Sequence, residues 1–275
     1  MTTAAWDALA KWRDRRMGER GDLWHRALID PTLLSVLGSV RGQRVLDVGC
    51  GNGYLTRRLR RQGATRAVGV DSSLGSIRLA RRREAAHPSG TEFIHADAAR
   101  LSRFGPGSFD RVVANMALMD IQDAAATIRE IGRLLGPTGR LVFSISHPCF
   151  DIDERSAWSI ERLPPGLETV SRKVERYRSE RTVRVAWKVS DRETAYTPSY
   201  HRTLATYSRY LRDAGLVIVR LEEPAPKTEL LRRSPQGRFI AEIPLHLVVE
   251  AAPWCGGPGR GQRRAGEGVR SSTPA

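Results

Sequence analysis

The sequence predicts a doubly wound α/β fold: a seven-stranded, mostly parallel sheet with one antiparallel edge strand, helices on both faces, and a cap insertion. Three observations carry this. Residues 44–60 read as a short apolar run, three alternating glycines, and then helical spacing. From there to residue 146, apolar runs of strand length alternate with amphipathic stretches, which calls for right-handed crossovers and parallel strands. Between residues 147 and 201 the alternation stops, and the strand and helix pattern then returns.

Trp6 to Glu19 has the spacing of a charged helix, with Trp6, Leu9, Ala10 and Trp12 on its apolar side. Gly21-Asp22 breaks it, and a second helical stretch runs from Trp24 to Leu37, interrupted by Pro31. This preface is expected to cover a ligand pocket. The strands follow at residues 44–48, 66–71, 91–95, 109–115 and 140–146, with helices from Leu55, Ile77 and Asp120 between them. Residues 147–201 are aromatic and basic, and hairpin-like alternation is predicted from Val174 to Trp187. A helix then ends at Ala214-Gly215, residues 216–221 form the sixth strand, and residues 238–248 form the seventh, paired with it through a short return. The domain reading is a helical segment at 1–40, a ligand-binding core at 41–146, a cap at 147–202, the rest of the core at 203–252, and a disordered basic tail at 253–275.

The glycine stretch, Asp47-Val48-Gly49-Cys50-Gly51-Asn52-Gly53-Tyr54, says what kind of ligand the turn faces. Glycine allows backbone angles and a close ligand approach that a Cβ would block. The following helix offers free N–H groups. In a dinucleotide fingerprint the third glycine comes one residue later than Gly53, where Tyr54 stands here. Asp47 sets a carboxylate against the turn, which suits an ammonium group better than phosphates. About twenty residues on, Asp71 ends the second strand, where a carboxylate can accept both hydroxyls of a ribose. A helix-capping role for Asp71 is compatible, because Ser72 or Ser73 can serve as the cap instead.

These residues resemble the first motifs of the class I S-adenosylmethionine-dependent methyltransferases, in their small-molecule, type 11-like branch, and the resemblance runs from about Val45 to Val249. It implies a Rossmann-like core and S-adenosyl-L-methionine as cofactor. It also implies cofactor contacts from Asp47, Gly49, Gly51, Asn52, Gly53, Asp71, Ser72, Asp97, Ala98 and Asn115. Asp47 and the glycines would hold the methionyl end, Asp71 the ribose, and Asp97 the adenine amino group.

The net charge of +15 is almost all arginine, since only Lys11, Lys173, Lys188 and Lys227 of the 45 basic residues are lysine. The arginines are spread along helices and loops and read mostly as solvated surface, with a nucleic-acid or acidic partner left open. Cys50, Cys149 and Cys255 lie far apart without metal-ligand spacing, so no metal site is expected and a reducing, cytoplasmic setting is. No apolar stretch is long enough to span a bilayer.

Chemistry then turns on the methyl acceptor, expected to be a small organic molecule methylated at oxygen, nitrogen or carbon and held by the cap. A sulfonium is already activated, so the protein's work is alignment and exclusion of water. His147, just after the fifth strand, and His201, before the helix that follows the cap, are the candidate catalytic residues, as bases or pocket-wall groups. Three other readings stand beside this one: a nucleic-acid methyltransferase, a non-catalytic cofactor-binding protein, and a nicotinamide dehydrogenase, the last disfavoured by Tyr54. Asn115-Met116-Ala117-Leu118 lacks the Asn/Asp-Pro-Pro-aromatic pattern of enzymes that methylate base amines.

Overall fold

The computed structural model describes residues 2–152, 156–164, 167–234 and 237–254. Helix α1 (Thr2–Met17) opens the chain. A π-helical turn over His25–Ile29 runs directly into α2 (Asp30–Leu37), with Pro31 in the first helical turn, where its missing N–H costs nothing. The core then alternates: β1 (Arg44–Val48), α3 (Tyr54–Arg61), β2 (Arg66–Asp71), α4 (Leu74–Ala86), β3 (Glu92–His95), β4 (Phe109–Asn115), α5 (Ala124–Leu134) and β5 (Leu135–Ser146). Side-chain caps start the helices. Ser73 Oγ accepts from Ser76 N at 3.0 Å for α4, and Asp123 Oδ1 accepts from Ala126 N at 2.9 Å for α5.

Two hairpins follow, β6 (Ala157–Leu163) with β7 (Leu167–Lys173), and β8 (Arg181–Lys188) with β9 (Thr194–His201). The hairpin predicted over Val174–Trp187 is therefore misplaced: residues 174–180 join the two hairpins, and Trp187 pairs forward with Ala195. After α6 (Leu204–Asp213) and β10 (Leu216–Glu222) come two short helices, α7 (Thr228–Arg233) and α8 (Gly237–Glu242), before β11 (His246–Pro253). The predicted seventh strand began too early. Phe239 and Ile240 are adjacent and both buried while Arg238, Ala241 and Glu242 face out, which a strand's alternation forbids and a helix allows. The return between the last two strands is correspondingly long. The tail expected to be disordered lies, from residue 255 on, outside the described residues.

The main sheet has seven strands in the order β10-β11-β5-β4-β1-β2-β3. All are parallel except β11, which runs antiparallel to both β5 and β10, one strand in from the edge. The two-residue period sorts the core. Leu46, Val68, Val112, Leu141 and Phe143 pack with Ile128, Ile131 and Leu211 on one face. Val45, Ala67, Val113 and Val142 pack with Leu33, Leu37, Leu55 and Leu59 on the other. The strands β3, β2, β1 and β4 thus end side by side, and the loops that leave their carboxyl ends form one edge of the sheet. Among the described residues no helix is long and apolar enough to cross a membrane.

Candidate active site

Above that edge lies a cavity of about 510 Å³, within the range of about 300–1,000 Å³ usual for small-molecule sites. The glycine turn forms its floor. Gly49, Gly51 and Gly53 all take positive φ, at 71°, 55° and 76°. They differ in purpose. A Cβ on Gly49 would lie 2.6 Å from that of Ala117, and one on Gly53 would strike the Phe93 ring, so these two are needed for packing. A Cβ on Gly51 would meet nothing within 4 Å, which leaves its backbone open to a ligand.

Asp71 ends β2 and lines the cavity. Its Oδ2 accepts from Gly51 N and its Oδ1 from Ser73 N, each at 2.8 Å, and each oxygen keeps a further lone pair. Burial raises its pKa, against those two backbone hydrogen bonds. Ser73 caps α4, which leaves Asp71 free of that duty. Asp97, with Ala98 beside it, lines the cavity at the end of β3, its Oδ1 accepting from Ala99 N at 2.9 Å. Ser72 lines it too.

Asn115 ends β4 and is held on both sides. Its Nδ2 donates to Asp30 Oδ1 and to Tyr54 Oη, both at 2.9 Å, and its Oδ1 accepts from Ser144 Oγ at 2.6 Å. The next residue, Met116, has φ of 52°, an uncommon conformation for a side chain of its size, and it too lines the cavity. Asn52 reaches the cavity, but its side chain ties the glycine turn to α1, donating to Asp14 Oδ1 at 3.0 Å and Gly18 O at 2.9 Å.

Asp47 is not a lining residue. It lies beneath the turn, 2% exposed, between β2 and β4, and accepts from Thr56 Oγ1 at 2.6 Å. Burial pushes its carboxyl up to about 7, with the charges of Asp71 and Asp30 adding to the effect and the Thr56 hydroxyl opposing it. Any influence on a ligand is through space and through the turn.

The roof is α1, which supplies Thr3, Trp6, Ala10, Arg13, Asp14 and Met17. Arg57 and Arg83 pin it down. Arg57 is fully buried and donates to Glu19 Oε2 at 3.0 Å and Asn52 O at 2.8 Å, while Arg83 pairs with both Asp14 and Glu19. The Arg13 guanidinium lies 5.0 Å from the centre of the Trp187 ring, which itself packs on Trp6 and Trp12. Trp187 thus brings the cap against the outside of α1, and β9 reaches the same region through Ser199, whose hydroxyl faces Asp120.

The two histidines singled out in the sequence stand elsewhere. His147 Nδ1 accepts from Cys149 N at 3.2 Å, and its Nε2 donates to Glu223 Oε1 at 3.0 Å, so both ring nitrogens are engaged. Burial lowers its pKa, against the Glu223 charge. His201 Nε2 donates to Tyr177 O at 2.7 Å. It lines a second cavity of about 590 Å³ together with Met119, Arg184, Tyr196, Tyr200 and Arg202. No residue of the cap lines the first cavity among the described residues.

Among the residues that the fold brings to the first cavity and that sequence reasoning did not assign to the site are Arg13, His25, Tyr54, Met116 and Asp120. Asp120 sits in a 3-10 turn, Leu118–Asp120, after β4, and burial pushes its carboxyl up to about 7 against the Ser199 hydroxyl and the charges of Arg13 and Arg202. The helical pattern beginning at Asp120 hid it; α5 starts four residues later. His25 and Arg13 lie in the N-terminal preface, where only the Gly21-Asp22 break hinted at anything beyond an amphipathic helix.

A row of polar groups across four parallel strand ends, with a tight glycine turn in the middle, defines a nucleoside-binding protein of the Rossmann-like kind. Comparison with known proteins makes the class specific. Residues 46–143 match the family model described as a methyltransferase domain. A solved S-adenosylmethionine-dependent methyltransferase from Mesorhizobium loti is 29% identical, with a TM-score of 0.64 over 80% of this chain and 95% of its own. A demethylmenaquinone methyltransferase from Renibacterium salmoninarum is 34% identical over 128 residues, 46% of this chain and 49% of the relative. A ubiquinone biosynthesis O-methyltransferase from Paracidovorax citrulli is 34% identical over 110 residues, 39% and 45% respectively. The chain thus spans about half the length of these two curated relatives. These similarities mark a methyltransferase domain at residues 46–143 and support a class I S-adenosylmethionine-dependent methyltransferase, with S-adenosyl-L-methionine as cofactor.

Proposed function

We propose that the protein transfers the methyl group of S-adenosylmethionine to an oxygen, nitrogen or carbon atom of a small organic molecule. The observation that carries this is the order of groups along the strand ends. Neighbouring strands lie about 4.8 Å apart, so Asn115, the glycine turn, Asp71 and Asp97 span about 14 Å from β4 to β3. An extended nucleoside fits along that line, with adenine at Asp97, ribose at Asp71, and the methionyl end over Gly51 toward Asn115. The cofactor supplies the activated methyl. The chain's residues bind it, align it and keep water away under α1. Arg13 is placed to meet the methionyl carboxylate, and Asp47 sets a carboxylate beneath the ammonium end.

Relatives named for O-methyl transfer in ubiquinone biosynthesis and for methylation of demethylmenaquinone support a small organic acceptor. The second cavity, beginning one residue along from Asp120 at Met119, is where we place the body of a larger acceptor. The free thiols of Cys50 and Cys149 support a reducing, cytoplasmic setting. Calorimetric titration with S-adenosylmethionine, followed by capture of labelled product from a small-molecule extract, tests the proposal. Methylation of nucleic acid alone in the same extract would replace it.

A further inference from the structure

His25 stands at the β4 end of the donor cavity, and its surroundings differ from those of His147 and His201. Its Nδ1 faces Asp22 Oδ1 at 2.8 Å, and the same carboxylate oxygen accepts from its backbone N at 3.0 Å. Asp22 thereby fixes both the ring and the turn that carries it. Burial raises the Asp22 carboxyl, but hydrogen bonds from the His25 ring and backbone N–H, with the charge of Arg13 adding, hold the group well below the usual carboxylate range. An ionised Asp22 makes Nδ1 the protonated nitrogen and leaves a lone pair on Nε2. The side chain is 9% exposed, lines the cavity, and has no hydrogen-bond partner at Nε2 among the described residues. Its edge packs on Tyr54 at 6.0 Å between centroids, and Tyr54 hydrogen-bonds Asn115, which places His25 beside the ends of β1 and β4.

We propose that His25, oriented by Asp22, is the general base of the methyl transfer, and that the acceptor is a hydroxyl that must lose its proton. The inference rests on the donor reading above, which puts the sulfonium end near Asn115. The acceptor oxygen forms the bond to the methyl carbon as the carbon–sulfur bond breaks, and that bond's electron pair stays on sulfur. The acceptor proton passes to His25 Nε2, and Asp22 balances the imidazolium that results. Other groups facing His25 are Arg13 on α1, Asp30 on α2, Tyr54 on α3, Asp120 after β4 and His246 on β11. Burial and the charge of Asp30 keep Tyr54 protonated, and burial beside His25 and His147 keeps His246 neutral, so neither competes for the proton.

The test uses 4-nitrophenol as a coloured hydroxyl probe bound to the full chain with S-adenosylhomocysteine, at a pH below the probe's solution pKa. Wild type is expected to hold it as the yellow phenolate, His25→Gln to lose at least nine-tenths of that signal, Asp22→Asn to weaken it several-fold, and His147→Gln to leave it unchanged. Nitrogen-15 spectra should show His25 protonated at Nδ1 and bare at Nε2, a state Asp22→Asn disturbs. A wild-type signal no greater than that of His25→Gln overturns the assignment, as does its loss in Asp120→Asn with retention in His25→Gln. Calorimetry with S-adenosylmethionine on the same proteins separates the two readings: intact donor binding with no phenolate signal sinks only the base, and absent donor binding sinks the donor site.

Discussion

The first cavity and the cavity beneath the second hairpin have similar volumes, about 510 and 590 Å³, but they are framed differently. The first is set by backbone. Four parallel strands end together, a turn with three positive-φ glycines sits between them, and backbone N–H groups of Gly51 and Ser73 orient Asp71. The second is walled largely by side chains of β8 and β9, with Arg202 donating to the carbonyls of Leu118, Ile121 and Gln122 and Arg184 lying 4.3 Å over Tyr196. A frame of backbone admits few sequences and few ligands. A frame of side chains can change its walls without changing the fold, which suits the part of an enzyme that must follow its acceptor.

The contrast can be broken most directly at Asp71. Asp71→Ala removes a charged acceptor worth about 1.5–3 kcal/mol per hydrogen bond. It should weaken S-adenosylmethionine binding at least about 100-fold, by calorimetry, while the circular dichroism stays native. Affinity within a few-fold of wild type would show that backbone alone holds the ligand.

Next comes Asp47. Its pKa, raised on folding to about 7, means that the folded state keeps a proton the unfolded state has lost. Its effect is absent below the unfolded carboxylate pKa, and stability falls as pH rises from there through about 7, by up to a few kcal/mol. Asp47→Asn should therefore melt higher than wild type at pH 8 and equally at pH 3, if both still fold there. Parallel melting curves across that range would mean the carboxyl is not strained by burial.

His147→Ala is predicted to act on stability alone. Losing a buried ring with two engaged nitrogens should cost about 1–2 kcal/mol, lowering the melting temperature by about 2–4 °C per kcal/mol, with donor affinity unchanged. A loss of donor affinity would bring the β5 end into the first cavity after all. The smallest effect is expected at Gly51, where Ala adopts the left-handed conformation at a cost of about 1 kcal/mol. There the donor's affinity, and not the fold, should report the new methyl.

The same contrast decided what could be read in advance. Strands β1 to β5 and the places of Gly51 and Asp71 at the first cavity follow from local pattern, because a parallel strand buried on both faces is a continuous apolar run and a strand-to-helix turn needs glycine at fixed places. Phe239-Ile240 was misread because a short apolar run between a glycine and Pro244 has no period long enough to tell helix from strand. The hairpins were misplaced because arginine-rich alternation extends across residues 174–187 without a sharp turn signal. His25 was passed over for a different reason. It and Asp22 are brought to the glycine turn and the adjoining Tyr54 only by the way α1 and α2 fold back over the sheet, which no local spacing announces.

The antiparallel strand β11 has a consequence for synthesis. It is wedged between β5 and β10, and β10 touches the sheet through it alone. Until residues 246–253 have cleared the ribosome, Leu216–Glu222 has no ladder to join and β5 keeps a bare edge, with Val219 and Leu221 still outward-facing apolar groups in the finished protein. A nascent chain can complete its donor-binding strands early, yet must wait for its last strand before that side of the sheet is sealed against neighbours on the same polysome.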